Sequence, residues 1–350
     1  MSLLKLHLDP KTTWINDGGL EVPAHFSDSD QELENLTKSA ALIDFSHQSV
    51  VEISGPQRVD FLQGLTTNQI KDINVDKSVY STMLTPQGRF LWDFTINESG
   101  DALTLTTEPQ QGSQLVDSLN FYLMRTKAVI KDVSDQNGVL AVVGPRATQL
   151  IGELFPECDT KDAPLGATFT TSDKQLWRDP RHDDFGWRIL ANNEKYVEIW
   201  KKISGKISPA GQKAWDIYRI QKGLPRGGKE LIPNQTLPLE AGLFDLNGVS
   251  FQKGCFVGQE TTARTHHRGT LKKRVFQVTL ESDSLIAEGT EILTSSNKEA
   301  GIITSATLHN GYCHALALIR LSDAVEGKEL SILGQKVSIQ KPIWASWELG

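Results

Sequence analysis

Two Gly-Pro pairs, Gly55-Pro56 and Gly144-Pro145, constrain the fold of this chain more than any other feature, because they lie 89 positions apart in matching surroundings. Each closes an apolar run, "SVVEIS" in the first case and "VLAVV" in the second. Each is followed by helix-forming sequence. Proline suits the first turn of a helix, where its missing N–H costs nothing. After the first pair, "SVYSTMLTPQGRFLWDFTINESGDALTLTTE" predicts three strands with turns at Pro86–Gly88 and Ser99–Asp101, and Leu115, Leu119 and Leu123 recur at helical spacing. After the second, "QLWRDPRHDDFGWRILAN" predicts another hairpin and "EKYVEIWKKIS" another helix. The pattern is that of two related α+β domains, each an antiparallel sheet backed by helices.

Beyond this duplication, Ser208-Pro209 reads as the N-cap and first residue of a helix. Trp215, Tyr218 and Ile220 to Leu224 give that helix its apolar face, and it is expected to stop near Gly223, before Pro225. From about residue 271 the chain becomes a series of short strands ("RVFQVTL", "GTEILTS", "AGIITSATL", "YCHALALIRL", "ELSIL", "QKVSIQK"), which predicts a small β-sandwich or barrel. A net charge of −7 argues against bulk electrostatic binding of nucleic acid. No run has the length of a membrane span. The three cysteines, Cys158, Cys255 and Cys313, form no C-x-x-C and suit a reducing compartment. The first residues, "MSLLKLHLDPKTTW", read as neither a signal peptide nor an Arg-rich transit peptide, so a cytoplasmic protein is expected.

The chemistry concentrates in "KGCFVGQETTARTHHRG", residues 253–269. Lys253 lies two residues from Cys255, and nearby positive charge favours a thiolate; a buried, inert cysteine is the equal alternative. His266-His267 suggest a metal, but adjacent side chains diverge, and no metal site is predicted. Arg264, Arg268, Lys272, Lys273 and Arg274 are either an anion-binding cluster or a solvated face. Gln259-Glu260 either read the hydrogen-bonding edge of a heteroaromatic ring or cap a helix that begins near Gly258.

The run "GVSFQKGCFVGQETTART" closely resembles the K-G-C-[FY]-x-G-Q-E signature of the YgfZ-type folate-binding proteins, which act in iron–sulfur cluster assembly and repair. "TARTHHRG" is similar to the branch containing the mitochondrial assembly factor for four-iron clusters. "FLQGLTTN", "LTPQGRFLWDF", "YLMRTKAVI", "YRIQKGLP" and "PLEAGLFDLNGVSF" follow the order seen in that family. The family is related to the glycine-cleavage T-protein, an aminomethyltransferase that uses tetrahydrofolate. The resemblance implies an α+β, three-domain T-protein-like cloverleaf around a central folate cavity. Its domains are expected at 1–135 (completed by about 232–270), 136–231 and, for the β-barrel, 271–350.

Two departures from the T-protein pattern bear on chemistry. Its paired aspartates become Trp92-Asp93, and its pterin-binding glutamate becomes Gln221. An amide offers one acceptor where a carboxylate offers two, so aminomethyl transfer is disfavoured. The resemblance therefore implies an accessory protein rather than a classical enzyme. Its cofactor is tetrahydrofolate or a derivative, and its partners are assembly proteins and client enzymes. It implies Cys255, with Lys253, as the functional pair, in transient contact with a cluster. Phe90, Trp92, Asp93 and Arg125 are the candidate pterin and tail contacts, with Gln221, Gln259, Glu260 and Arg264 beside them. A folate-dependent aminomethyltransferase and a non-catalytic scaffold for assembly proteins are the alternative functions.

Overall fold

The computed structural model describes residues 2–5, 7–8, 12–269, 271–325 and 327–348; positions 1, 6 and 9–11 of the N-terminal stretch, on which the compartment expectation partly rested, lie outside them. The chain divides into two compact units. The first comprises residues 1–82, 92–215 and 252–256; the second comprises 83–91, 216–251 and 257–350.

The elements follow one another as β1 (Trp14–Asp17), β2 (Leu20–Pro23), α1 (Ser29–Lys38), β3 (Ala41–Asp44), β4 (Ser49–Ser54), α2 (Arg58–Leu65), β5 (Val79–Leu84), β6 (Phe90–Ser99), β7 (Ala102–Thr107), α3 (Gly112–Leu123) and β8 (Val129–Asp132). The second module supplies β9 (Asn137–Val143), α4 (Ala147–Leu154), β10 (Thr168–Thr170), β11 (Gln175–Arg178), β12 (Trp187–Asn192), α5 (Asn193–Ser204), β13 (Pro209–Ala210) and α6 (Gln212–Lys222). The duplicated pattern thus produces two sheets, in the orders β5-β6-β7-β4-β8 and β10-β11-β12-β9-β3-β13. β3, encoded before the first Gly-Pro pair, lies inside the second sheet, where Ala41 to Asp44 pair antiparallel with Val143 to Leu140.

Ser208-Pro209 does not cap a helix. Pro209 and Ala210 instead pair in parallel with Leu42 and Ile43, and the helix begins at Gln212. The proline occupies an edge strand, where its missing N–H is tolerated. The helix ends at Lys222, and Gly223 follows at φ +73°. α4 and α5 lay Ile151, Leu154, Tyr196, Ile199 and Ile203 against Leu140, Val142, Trp187 and Ile189 of the second sheet. Each such side chain contributes about 1.5–3 kcal/mol by leaving water. α5 begins cleanly because Asn192 accepts a hydrogen bond from the Lys195 N–H at 2.9 Å.

In the second unit, α7 (Gln259–Arg268) leads to β14 (Lys273–Glu281), β15 (Glu291–Thr294), β16 (Glu299–His309), β17 (Tyr312–Arg320), β18 (Leu330–Ile332), β19 (Gln335–Lys336) and β20 (Ser338–Gln340). The sheet order is β19-β18-β15-β16-β17-β14-β20. Its two outer strands are separated in sequence by Val337 alone, so the sheet edges meet and the strands curl around Phe276, Val278, Ile292, Ile303, Ala317 and Ile319. A buried ion pair also orders this unit. Glu230 receives Arg219 Nη1 at 3.2 Å, the Arg226 N–H at 2.9 Å and the Ser305 hydroxyl.

Candidate functional site

The signature loop is pinned through Lys253. Its ammonium donates to the Gln63 carbonyl at 2.7 Å and to the Thr66 carbonyl, at the end of α2. The last carbonyls of a helix lack intrahelical partners and carry its negative dipole end, so a cation is favoured there. The ammonium also lies 5.0 Å from the Phe256 ring. Burial holds the Lys253 pKa down at about 8. Cys255 stands two residues on, exposed and free. Cys158 and Cys313 are buried, and burial raises both of their pKa values. Of the three thiols, only Cys255 is presented to a reagent or a metal cargo.

The second half of the motif belongs to the second unit. Gly258, at φ +81°, is the N-cap of α7; a side chain there would collide with the Thr85 carbonyl and Leu84. Gln259 and Glu260 form the first turn. Glu260 makes no capping bond and pairs with Arg264 one turn on, both exposed. The basic cluster disperses: Arg274 donates to the Leu239 carbonyl at 2.9 Å, lies 3.4 Å from Asp245 Oδ2 and packs over Trp347, while Arg268 and Lys272 are exposed. His266 stacks on Phe251 with centroids 3.9 Å apart, with Phe244 at 5.0 Å. Burial, then the neighbouring His267, lowers the His266 pKa. Among the described residues, no three His, Cys, Asp or Glu side chains gather as metal ligands.

The remaining candidates separate by environment. Phe90 is 1% exposed, and its backbone bonds to Thr236 and Asn234. It is a core residue and offers no ring face to a ligand, because β6 turns it inward. Trp92 is half-buried and donates from Nε1 to Ser118 Oγ at 3.1 Å. Arg125 is exposed beyond α3. Gln221 Nε2 lies 3.3 Å from His314 Nε2, and the Gln221 carbonyl accepts from Gln277.

Asp93 is the one sequence candidate that lines the small polar cavity of the first unit, a space of about 30 Å³. Tyr80, Thr106, Glu108, Trp177, Arg181 and Arg188 line it too. The Tyr80 hydroxyl donates to Asp93 Oδ2 at 3.0 Å. Burial, reinforced by the charge of Glu108, raises the Asp93 pKa to about 6. Burial and the Asp93 charge raise that of Tyr80 well above its ordinary value. Arg181 grips Asp179 through two bonds of 2.9 and 2.8 Å and stacks 3.6 Å from Phe185. Burial works against the ionised form of Asp179, but Arg181 and Arg188 outweigh it and lower its pKa. Burial lowers that of Arg188 to about 10. Gly186, at φ +69°, lets the chain turn between Arg181 and Arg188; a Cβ would strike the Val142 carbonyl.

Four buried polar atoms of the lining residues have no partner: Asp93 Oδ1, Thr106 Oγ1, Trp177 Nε1 and Arg188 Nη1. Inspection of the sequence missed Tyr80, Trp177, Arg181 and Arg188. The available signal was the recurrence of three arginines, Arg178, Arg181 and Arg188, inside "WRDPRHDDFGWRIL", an otherwise strand-forming stretch.

The chain matches the GCVT N-terminal domain over residues 3–247 and the CAF17 C-terminal β-barrel domain over 272–347. It belongs to the GCVT family of T-protein relatives, in the branch that contains the YgfZ-type proteins and IBA57. The iron-sulfur cluster assembly factor IBA57 of Mus musculus is 31% identical over 80% of this chain and 77% of its own. An aminomethyltransferase of a Nostoc species is 26% identical over 99% and 96%. The crystal structure of glycine cleavage system aminomethyltransferase T from Bartonella henselae superposes with a TM-score of 0.82 at 18% identity, over 98% of this chain and 97% of the other, which establishes the α+β T-protein fold. The IBA57 relatives of Mus musculus, Dictyostelium discoideum and Homo sapiens are designated mitochondrial. This overturns the cytoplasmic expectation, which rested on the N-terminal residues and on thiol spacing; a reducing environment is not unique to one compartment.

Proposed function

We propose that this protein is a folate-binding accessory factor that assists assembly or repair of iron–sulfur clusters in client enzymes. The observation that carries the reading is the presentation of Cys255: exposed and free, on a loop that Lys253 anchors to α2, while the other two cysteines are buried. Several relatives named as iron-sulfur cluster assembly factors support the cargo. One thiolate supplies one ligand to a cluster iron, so the cluster is handed on and not retained, with assembly proteins or clients supplying the other ligands.

The buried polar atoms that lack partners in the lining of the first unit's cavity support a reduced folate bound at its mouth. Asp93 would meet the polar part of the pterin and exposed Arg125 would serve the glutamate tail, while Trp92, on the opposite face of β6 and bonded to Ser118, would not touch the ring. Bound reduced folate supplies one-carbon or redox chemistry. The match to aminomethyltransferases over nearly the whole chain favours a one-carbon transferase as the second reading. Formation of methylene-tetrahydrofolate from an aminomethyl-lipoyl carrier by the purified protein distinguishes it.

The test is complementation of a deletion strain with Cys255→Ala. Four-iron client enzymes are expected to lose activity while the variant keeps its wild-type abundance and melting temperature. Client activity equal to that restored by the wild type refutes the role of the thiol.

A further inference from the structure

On its β11–β12 side, the cavity beside Asp93 offers hydrogen-bond donors alone. Trp177 and Arg188 face each other across β11 and β12 as directly opposed residues of an antiparallel pair. Such partners share a sheet face, with Cβ atoms about 4.5–5.5 Å apart. Trp177 is 0% and Arg188 4% exposed. Both side chains carry donors only. The far end of Arg188 is already engaged: Nη2 lies 3.6 Å from Asp179 Oδ2, and the guanidinium packs 5.1 Å from the Phe45 ring. Trp177 Nε1 and Arg188 Nη1 have no acceptor. A buried donor left unmatched is costly, and a guanidinium does not escape by losing its proton. Asp93 Oδ1 and Thr106 Oγ1 bring the first sheet to the same cavity.

Size decides what can satisfy this arrangement. About 30 Å³ holds one water-sized group, not a ring. A ligand therefore inserts a single acceptor atom and leaves its body outside. We propose that Trp177 and Arg188 form a donor pair that receives the ring carbonyl oxygen of a pterin, and that they select a 4-oxo ring over a 4-amino ring. This rests on the folate reading given above. The selection is chemical: the oxo group accepts from both donors, whereas an amino group in the same place turns its own hydrogens toward them. Neither residue is a catalytic group here; they set which ring is admitted and how it is turned.

The experiment is anaerobic calorimetric titration of the intact protein with tetrahydrofolate and with its 4-amino-4-deoxy analogue. The analogue is expected to bind the wild type at least about tenfold more weakly, the scale of a lost hydrogen bond to a charged donor. Trp177→Phe, which keeps the ring bulk, and Arg188→Gln are expected to bring the two affinities together. Because the comparison of ligands uses the wild type, it stands even if Arg188→Gln does not fold. Equal affinities in the wild type overturn the donor pair while leaving the folate reading intact. An undiminished preference in folded Trp177→Phe overturns the part assigned to the indole. Failure of both folates to bind overturns the folate reading itself, and the donor pair with it.

Discussion

Asp93→Asn isolates the electrostatics of the cavity. The carboxyl is 5% exposed, and its pKa stands at about 6 in the folded protein against an ordinary 3.8. Below about pH 3.8 the group is protonated in both folded and unfolded chains and costs nothing. Between 3.8 and 6 the unfolded chain releases the proton that the native state retains, so stability falls as pH rises. Above 6 both states are ionised, and the loss is complete. A separation of about two pH units corresponds to about 3 kcal/mol. Asparagine still accepts the Tyr80 hydroxyl bond and never ionises. Urea unfolding of wild type and variant at pH 4 and pH 8 measures the effect, with equal m-values as the check that both unfold alike. The variant is expected to match the wild type to within about 1 kcal/mol at pH 4, and to exceed it by about 2–3 kcal/mol at pH 8. Equal differences at the two pH values, or a variant weaker at pH 8, refute the reasoning and mean that Arg181 and Arg188 stabilise the carboxylate more than burial penalises it.

Glu230→Ala leaves Arg219 buried without its carboxylate and is expected to cost about 3–5 kcal/mol, read from urea midpoints. Glu230→Ala within about 1 kcal/mol of wild type would show that Asp216, 2.8 Å from Arg219 Nε, carries the charge unaided. Lys253 has a pKa held near 8 in the folded protein against an ordinary 10.5, so its burial penalty is removed as pH rises through that interval. Wild type measured against Lys253→Met should therefore gain relative stability between pH 8 and 10.5; a flat difference in melting temperature across that range contradicts a buried ammonium.

Local signals read well from this chain. The Gly-Pro pairs, the turns at Pro86–Gly88 and Ser99–Asp101, and the short runs after residue 271 all lie at elements that form where expected. Each is decided by neighbours within a few residues. Pro209 went the other way, because its pairing with Leu42 crosses nearly half the chain and no local preference encodes it. The cavity was illegible for the same reason. Trp177 meets Arg188 through hairpin register, and Asp93 and Thr106 arrive from another sheet. Phe90 looked available because an aromatic beside a turn can serve a ligand or a core; only burial distinguishes the two. The signature cysteine stood out as a motif, while its accessibility depends on where the Lys253 loop is tethered.

The placement of β3 between β9 and β13 has a consequence for synthesis. Four residues made early remain without their antiparallel neighbour until residues 140–143 have emerged from the ribosome, and without their parallel one until residue 210 has followed. The halves of this duplicated chain are therefore stitched together by that strand, and cutting the gene near codon 135 would yield a fragment with a bare edge and another with a gap, not two working proteins.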